Sequence, residues 1–542
     1  MFYIQTIKSY LPPFNVYFIA FVTLLIPLGI SKIMQYLHKN IDHNQVEKVK
    51  ELPTLLSYNF EQNITLINET IGNDNGTVLR TFKIGGTSID AAIIYIDDLV
   101  DTNVINNNIL KPLMDGSSTK NEGNITQDIK DYMKDYLLPV SEIYETSCAD
   151  EIVHKVIKGN TALILEELDV AIIIKTTKSK TRDYEEPPTE SLVRGPRIGF
   201  NEDIHENMTL LRKLAVNTDL QFIHLQVGSR FKKELVITYI EGIASPELVD
   251  EVKKKIEKIN IDHLPESGYI EQLIEENYFS IFPQIQSTER PDRLFGAIAE
   301  GRIGIILDGS PFALIAPVTL NMFIQSPEDY YERWIPGSLI RFLRYIASFI
   351  AVFTPALYIS FVSFHQGLIP SKLAISIIES REGVPFPIII EALFMEIAIE
   401  ILREAGLRLP KPIGQTIGIV GGLVIGEAAV QAGIVSPVTV IVVALTAISS
   451  FSLPLYNISI SLRLMRFIAM FLAATFGLYG VVVFFLFICI HLVKLKSFGI
   501  PYLSPIAPYY VSDWKDFIFR LPLQLMKKRP QVLQSKDSIR KS

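Results

Sequence analysis

Cysteine is nearly absent. The 542 residues contain two, Cys148 and Cys489, far apart, with the second inside an apolar run. That excludes a disulfide framework and a cysteine metal site, and it suits a reducing compartment around most of the polar chain. A basic excess is missing too. Lys and Arg number 51 against 58 Asp and Glu, a formal net charge of -7, so no broad cationic surface exists for nucleic acid. Charge of either sign is sparse, at 20% of residues against 49% hydrophobic, and mean hydropathy is +0.28. This balance points to membrane segments. The scarcity is local: residues 413–462 hold one formal charge, Glu427, whereas 40–335 are densely charged. A water-soluble part is joined to a membrane part.

Catalytic patterns are also missing. The eight histidines show no H-E-x-x-H or other ligand spacing, and no G-x-x-x-x-G-K-[ST] occurs. The glycines at 418–426 lack both the G-x-G-x-x-G order and a preceding soluble strand. The chain therefore reads as a non-enzyme without cofactor or metal.

The polar part has the pattern of an α/β region in two subdomains. Residues 51–80 are turn-rich (IGNDNGTV) and read as a linker. Short apolar runs at 91–96, 161–165 and 170–174 read as buried strands, with a helix near 127–146. The charged, proline-bearing stretch Lys175 to Pro188 is the best internal boundary. Beyond it come helices at 203–215 and 246–259 and strands at 220–227, 234–240 and 303–307. The expected units are an N-terminal segment 1–50, subdomains 51–188 and 189–335, an all-α multispan membrane domain 336–493 and a basic cytoplasmic tail 494–542.

The apolar stretch Val16 to Ile30 fits a membrane span, a cleaved signal peptide or an interfacial helix. If it spans, Lys32, Lys39, Lys48 and Lys50 behind it place the next domain in the cytoplasm. Four later stretches are long enough to cross: 342–364, 413–433, 438–456 and 467–493. Arg344 lies near the end of its span, where it can snorkel. The stretch 384–402 carries Glu391, Glu396 and Glu400, each costing about 2.5–3.5 kcal/mol at membrane depth, so a buried, re-entrant or interfacial helix is expected. Four spans put the basic tail on the side of Arg341 and Arg344 but leave Arg403, Arg408 and Lys411 opposite.

Gly414, Gly418, Gly422 and Gly426 recur every fourth residue and would line one face of a helix. Such a stripe packs helices closely; the sharper reading is a lined pathway. Glu427, with Gln431 one turn later, is the ionisable group of that block, either functional or a neutral hydrogen-bonded carboxyl. Two polar segments stand out, 186–212 and 290–317. Glu186, Arg194, Arg197, Glu202, Arg290, Asp292, Arg293, Arg302 and Asp308 are their charged candidates, for an interdomain network more simply than for a ligand clamp.

These segments carry a resemblance. Val193-Arg194-Gly195-Pro196-Arg197, Arg290-Pro291-Asp292-Arg293, Glu300-Gly301-Arg302, Asp308-Gly309-Ser310-Pro311, Arg381-Glu382-Gly383-Val384-Pro385-Phe386-Pro387 and the run 403–437 resemble the A subunit of the GerA family of spore germinant receptors. Ile198 departs from the acid common in the family after RGPR. The resemblance spans about residues 80–531. It implies a multi-pass subunit of the spore inner membrane with a large cytoplasmic domain. It also implies a transporter-like B subunit and a lipoprotein C subunit as partners, contact with membrane lipid, and a homo-oligomer that conducts ions when a nutrient is sensed. The alternative in the same relationship is an accessory like stage V sporulation protein AF, a scaffold or dipicolinate-release protein without a nutrient role.

Overall fold

The computed structural model describes residues 54–71, 76–85, 88–115, 143–166, 168–177, 186–215, 219–409, 422 and 424–540. They belong to one compact unit, Pro53–Lys541. The N-terminal stretch 1–50 lies outside them.

Two sheets come first. Strands β1 Thr77–Lys83, β2 Asp90–Ile96, β3 Ile143–Thr146, β4 Asn160–Leu165 and β5 Ala171–Lys175 form a sheet in the order β1-β2-β4-β5-β3. Every pair is antiparallel. The continuous apolar runs arise because both faces are covered. Ile93, Leu163, Ile172 and Ile174 pack on the helical stretch 102–114. Ile94, Ile164 and Ile173 pack on helices α1 Phe60–Ile71 and α2 Ala149–Ile157. Two expectations change here. The segment read as a linker holds α1, whose Ile67 and Ile71 spacing buries one face. Residues 143–146, expected to end a helix, are an edge strand, while 127–142 lie outside the described residues.

The second sheet repeats the plan. Strands β6 Leu220–Val227, β7 Lys233–Ile240, β8 Gln286–Thr288, β9 Ile303–Leu307 and β10 Ala313–Ala316 run in the order β6-β7-β9-β10-β8, again antiparallel. Relabelled from one, that is the order of the first sheet. Helices α3 Ile204–Ala215 and α6 Pro291–Ala299 cover one face. Helices α4 Pro246–Glu257 and α5 Ser267–Ile274 cover the other. The two units are joined by a buried pair: Arg212 Nη1 of α3 donates to Asp98 Oδ2 at 3.0 Å.

The helical layer follows, with α7 Trp334–Phe364, α8 Ser371–Glu379, α9 Ile388–Arg408, α10 Pro437–Phe451 and α11 Tyr456–Lys494. Two of these, α7 and α11, are long and apolar enough to cross a membrane. The expected span 438–456 is the 15-residue α10, about 22 Å long and short of the ~30 Å of hydrocarbon. Of the expected span 413–433, residues 413–421 and 423 lie outside the described residues.

One departure reorganises the layer. Helix α11 is broken at Gly477, at φ 59° and ψ -143°. Ser461 Oγ donates to the Ile281 carbonyl at 2.7 Å, and His491 Nε2 lies 3.0 Å from Ser280 Oγ. A straight helix would hold Ser461 and His491 roughly 45 Å apart, yet both touch consecutive residues. An added Cβ on Gly480 would also lie 2.3 Å from the Leu472 carbonyl. The segment is a hairpin, with arms 456–476 and 478–494 and its tip at Gly477. The tip abuts Phe364 and His365 at the far end of α7.

Helix α9 lies antiparallel to the first arm, with Glu396 facing Arg466 and Glu400 facing Arg463. Its last turns reach the sheet end, where Leu407 lines a cavity with Glu190 and Glu266. Arg403 and Arg408 thus sit at the end that holds Arg341, not opposite it, because α9 runs the full length of the layer. The three carboxylates expected to resist lipid are each paired: Glu391 and Glu396 are fully buried, and Glu400 is about a quarter exposed.

Candidate functional site

The second sheet meets the helical layer along one strip, Ser280 to Ser287. Asn457 Nδ2, at the start of the first arm, donates to Ser287 Oγ at 3.2 Å. With Ser461 and His491, this plants both feet of the hairpin on the strip. Phe282 packs beneath them with Leu455, Ile458, Leu492 and Tyr502. Ser497, just past the second arm, accepts from Val318 N and donates to the Gln284 carbonyl.

Beside the strip, the first turns of α7 carry a buried charge cluster. Asp329, 2% exposed, accepts from Arg341 Nε at 3.1 Å and Arg344 Nη1 at 2.7 Å. Arg341 also donates to Asp516 Oδ1 at 2.8 Å. Arg520 donates to the Asp329 carbonyl. The Tyr330 ring has Arg341 and Arg520 near its faces, each 5.5 Å from the centroid, and its hydroxyl donates to Asp516 Oδ2 at 2.6 Å. Burial and the Asp516 charge push the Tyr330 hydroxyl far above its ordinary range. Arg344, expected to snorkel, has Asp329 as its ion-pair partner at 2.7 Å. The segment after Lys494 is folded onto this cluster, so it shares an end with Arg341.

Four of the nine charged residues singled out in the two polar segments, Arg290, Asp292, Arg293 and Arg302, are held by bonds within the second unit, one layer away. Arg290, fully buried, makes a two-pronged bond to Asp292 and donates to the carbonyls of Glu190 and Pro196. Arg293 holds Glu190 at 2.8 Å and the carbonyls of Met322 and Gln325. Asp292 also accepts from Tyr331, which ties α6 to the lead into α7. Arg302 donates to the Pro317 carbonyl. The rest are dispersed. Arg197 lies 3.9 Å from Glu186 and Arg194 lies 3.7 Å from Glu332, both at the surface. Glu202 and Asp308 act through their backbones, accepting from Gly309 N and Lys233 Nζ. The network of Arg290 and Arg293 lies within the second unit and its exit; between the units, Asp98 meets Arg212, Thr209 and His205 of α3.

Gly414 and Gly418 lie outside the described residues. Gly422 is exposed, and among the described residues an added Cβ there meets nothing within 4 Å; Gly426 faces Val440. Glu427 and Gln431 are exposed and touch each other at 3.2 Å. Among the described residues, no group of three or more His, Cys, Asp or Glu could hold a metal ion. The junction residues missed by reading the sequence are Asp98, Asp329 and Asp516. Their signal was indirect: Arg341 and Arg344, three apart at the start of an apolar helix, face one way and need an acid.

A family model described as Bacillus/Clostridium GerA spore germination protein matches residues 65–532. The chain is 44% identical over 472 residues to spore germination protein GerLA of Bacillus cereus, covering 87% of this chain and 95% of that one. It is 43% identical over 480 residues to spore germination protein B1 of Bacillus subtilis (strain 168), covering 89% and 98%. The crystal structure of the N-terminal domain of the A subunit of the Bacillus megaterium spore germinant receptor GerK3 aligns at 31% identity and a TM-score of 0.38, covering 49% of this chain and 98% of that one.

Proposed function

The chain belongs to the GerA family of spore germination proteins, and on that premise we propose that it is the A subunit of a nutrient germinant receptor in the spore inner membrane. It acts with a transporter-like B subunit and a lipoprotein C subunit, and it converts their sensing of a nutrient into ion release. The role is coupling, not catalysis. The sheet units face the cytoplasm, the helical layer spans the membrane in several passes, and copies of the chain surround an ion path.

The observation that carries this reading is the planting of both hairpin feet on the Ser280–Ser287 strip beside the Asp329 cluster. A motion of the sheet units is thereby passed to the helical layer. The open face at Gly422, Glu427 and Gln431 supports contact with another helix of the assembly. Only 28% of the apolar window of α11 is buried, which suits lipid or neighbouring copies.

Spores lacking the chain test this. Loss of the response to one class of nutrient, with other nutrients still effective, is expected. Equal slowing with every nutrient would overturn the receptor reading in favour of an accessory. Conductance of the purified chain in liposomes, with and without B and C, tests the ion path.

A further inference from the structure

The folded C-terminal segment encloses a cavity of about 100 Å³ against the second sheet unit. Arg302, Lys515, Lys527, Lys528, Arg529 and Arg540 line it, against three carboxylates, Glu300, Asp513 and Asp516. The carboxylates are already engaged, Glu300 by two of these cations. Asp516 belongs to Arg341 and Tyr330. Asp513 accepts from the backbone N–H groups of Gln531 and Val532 at 2.9 and 3.2 Å. Glu300 lies 3.7 Å from Arg302 and 3.9 Å from Arg540, and burial pushes its carboxyl up, which thins the negative charge of the wall.

The three lysines have no ion-pair partner among the described residues. Their backbone is held in place, and the Lys515 carbonyl accepts from Leu521 N at 3.0 Å. Lys528 bridges Ile539, the Lys527 carbonyl accepts from Arg540 N at 2.8 Å, and Arg529 Nε donates to the Ala299 carbonyl at 3.0 Å. Arg302 is only 4% exposed, and its Nε makes no hydrogen bond. That Nε lies 3.7 Å from Glu300 and Nη1 donates to the Pro317 carbonyl, so the surplus of positive charge around the cavity comes from the three unpaired ammonium groups, and it favours an anion.

Size restricts what fits. The cavity exceeds the ~30 Å³ share of one water but falls well below the roughly 300–1,000 Å³ of a site enclosing a drug-sized molecule. We propose that it binds the phosphate of a phosphomonoester or phosphodiester, with Arg302 and the three lysines as donors and the remainder of the ligand outside. Its position bears on the source. Asp516 and Asn321, both in the wall, are held by Arg341 and Tyr345 of α7. On the membrane reading above, that is headgroup depth, so an anionic lipid and free phosphate share the required chemistry.

The test uses the full-length chain in detergent and the triple variant K515Q/K527Q/K528Q, whose changes are exposed. Thermal midpoints are followed while inorganic phosphate, phosphatidylglycerol or phosphatidylcholine is titrated, with chloride at matched ionic strength as control. The wild-type midpoint should rise, and the variant should bind at least about tenfold more weakly. A rise with inorganic phosphate assigns free phosphate. A rise with phosphatidylglycerol alone assigns the lipid. Equal responses of wild type and variant, a rise with chloride, or no rise in any arm would overturn the site. The phosphate arm involves no bilayer, so its outcome is independent of the membrane reading.

Discussion

Glu396 of α9 and Arg466 of α11 meet 2.8 Å apart with both side chains fully buried. Neither Glu396 oxygen receives an aligned hydrogen bond, so charge and packing hold the pair. Removing Arg466 strands Glu396, whereas removing Glu396 leaves Arg466 its 3.4 Å bond to Glu400. Arg466→Met alone should cost about 3–5 kcal/mol, Glu396→Leu alone less, and the double variant should recover most of the Arg466→Met loss. Thermal unfolding in one detergent measures all three; losses that simply add would show that the two do not act as a pair.

Asp98 anchors Arg212 across the two sheet units. Asp98→Ala should cost about 1.5–3 kcal/mol, the range for a hydrogen bond to a charged group. Arg212 keeps its stacking on Phe222, 4.8 Å from the ring centroid, so the second sheet stays folded. Amide exchange should quicken in α3 and around residue 98 while β9 remains protected.

Burial, with Glu275 and Glu266 nearby, pushes the Glu271 carboxyl up to about 8. The folded state therefore holds this proton more tightly than the unfolded state. The stability it contributes is complete below the ordinary carboxylate range and is lost as pH rises toward 8. Glu271→Gln should match wild type at low pH and become the more stable of the two with rising pH, levelling off above pH 8. Midpoints of both proteins across that range show the gap opening or not.

Gly477 has a backbone that is essentially limited to glycine, and an added Cβ would lie 3.1 Å from Phe364. Gly477→Ala should destabilise the chain by about 1–3 kcal/mol. A smaller loss, measured by thermal unfolding, would mean that the hairpin tip is looser than its packing implies.

Gly422 separates folding from assembly. An added Cβ there meets no atom of the described residues within 4 Å, so Gly422→Leu should leave the monomer's stability within about 0.5 kcal/mol of wild type. Nutrient-triggered germination should nevertheless fail, most completely with Gly418→Leu added. Spores of that double variant germinating at the normal rate would remove the glycine stripe from the interface.

Local signals were legible and long-range ones were not. The runs at 91–96, 161–165 and 303–307 announced buried strands because each strand is covered on both faces. Glu391, Glu396 and Glu400 signalled that one face of their helix needs partners, and each is paired with an arginine, while Ile390, Phe394, Ile397 and Ile401 of the same helix are exposed. The shared order of the two sheets leaves no trace in the sequence, since apolar residues of many kinds fill equivalent positions. Asp329 and Asp516 looked like ordinary loop acids, and only the approach of α7 to the C-terminal segment makes them partners of Arg341. The Gly477 reversal was hidden inside one apolar run, because both arms are apolar and a glycine in such a run reads as helix.

A rod pinned at one end and free at the other converts rotation into travel. The arms rise about 24 Å from Ser461 to the tip, so tilting the Ser280–Ser287 strip by about 5° carries Gly477 sideways by about 2 Å. That is ample to unseat it from Phe364 and His365, which lie within van der Waals contact. The part of the chain farthest from the sheets is thus the part most displaced by them, and a small angular signal at the base becomes a change of neighbours at the tip.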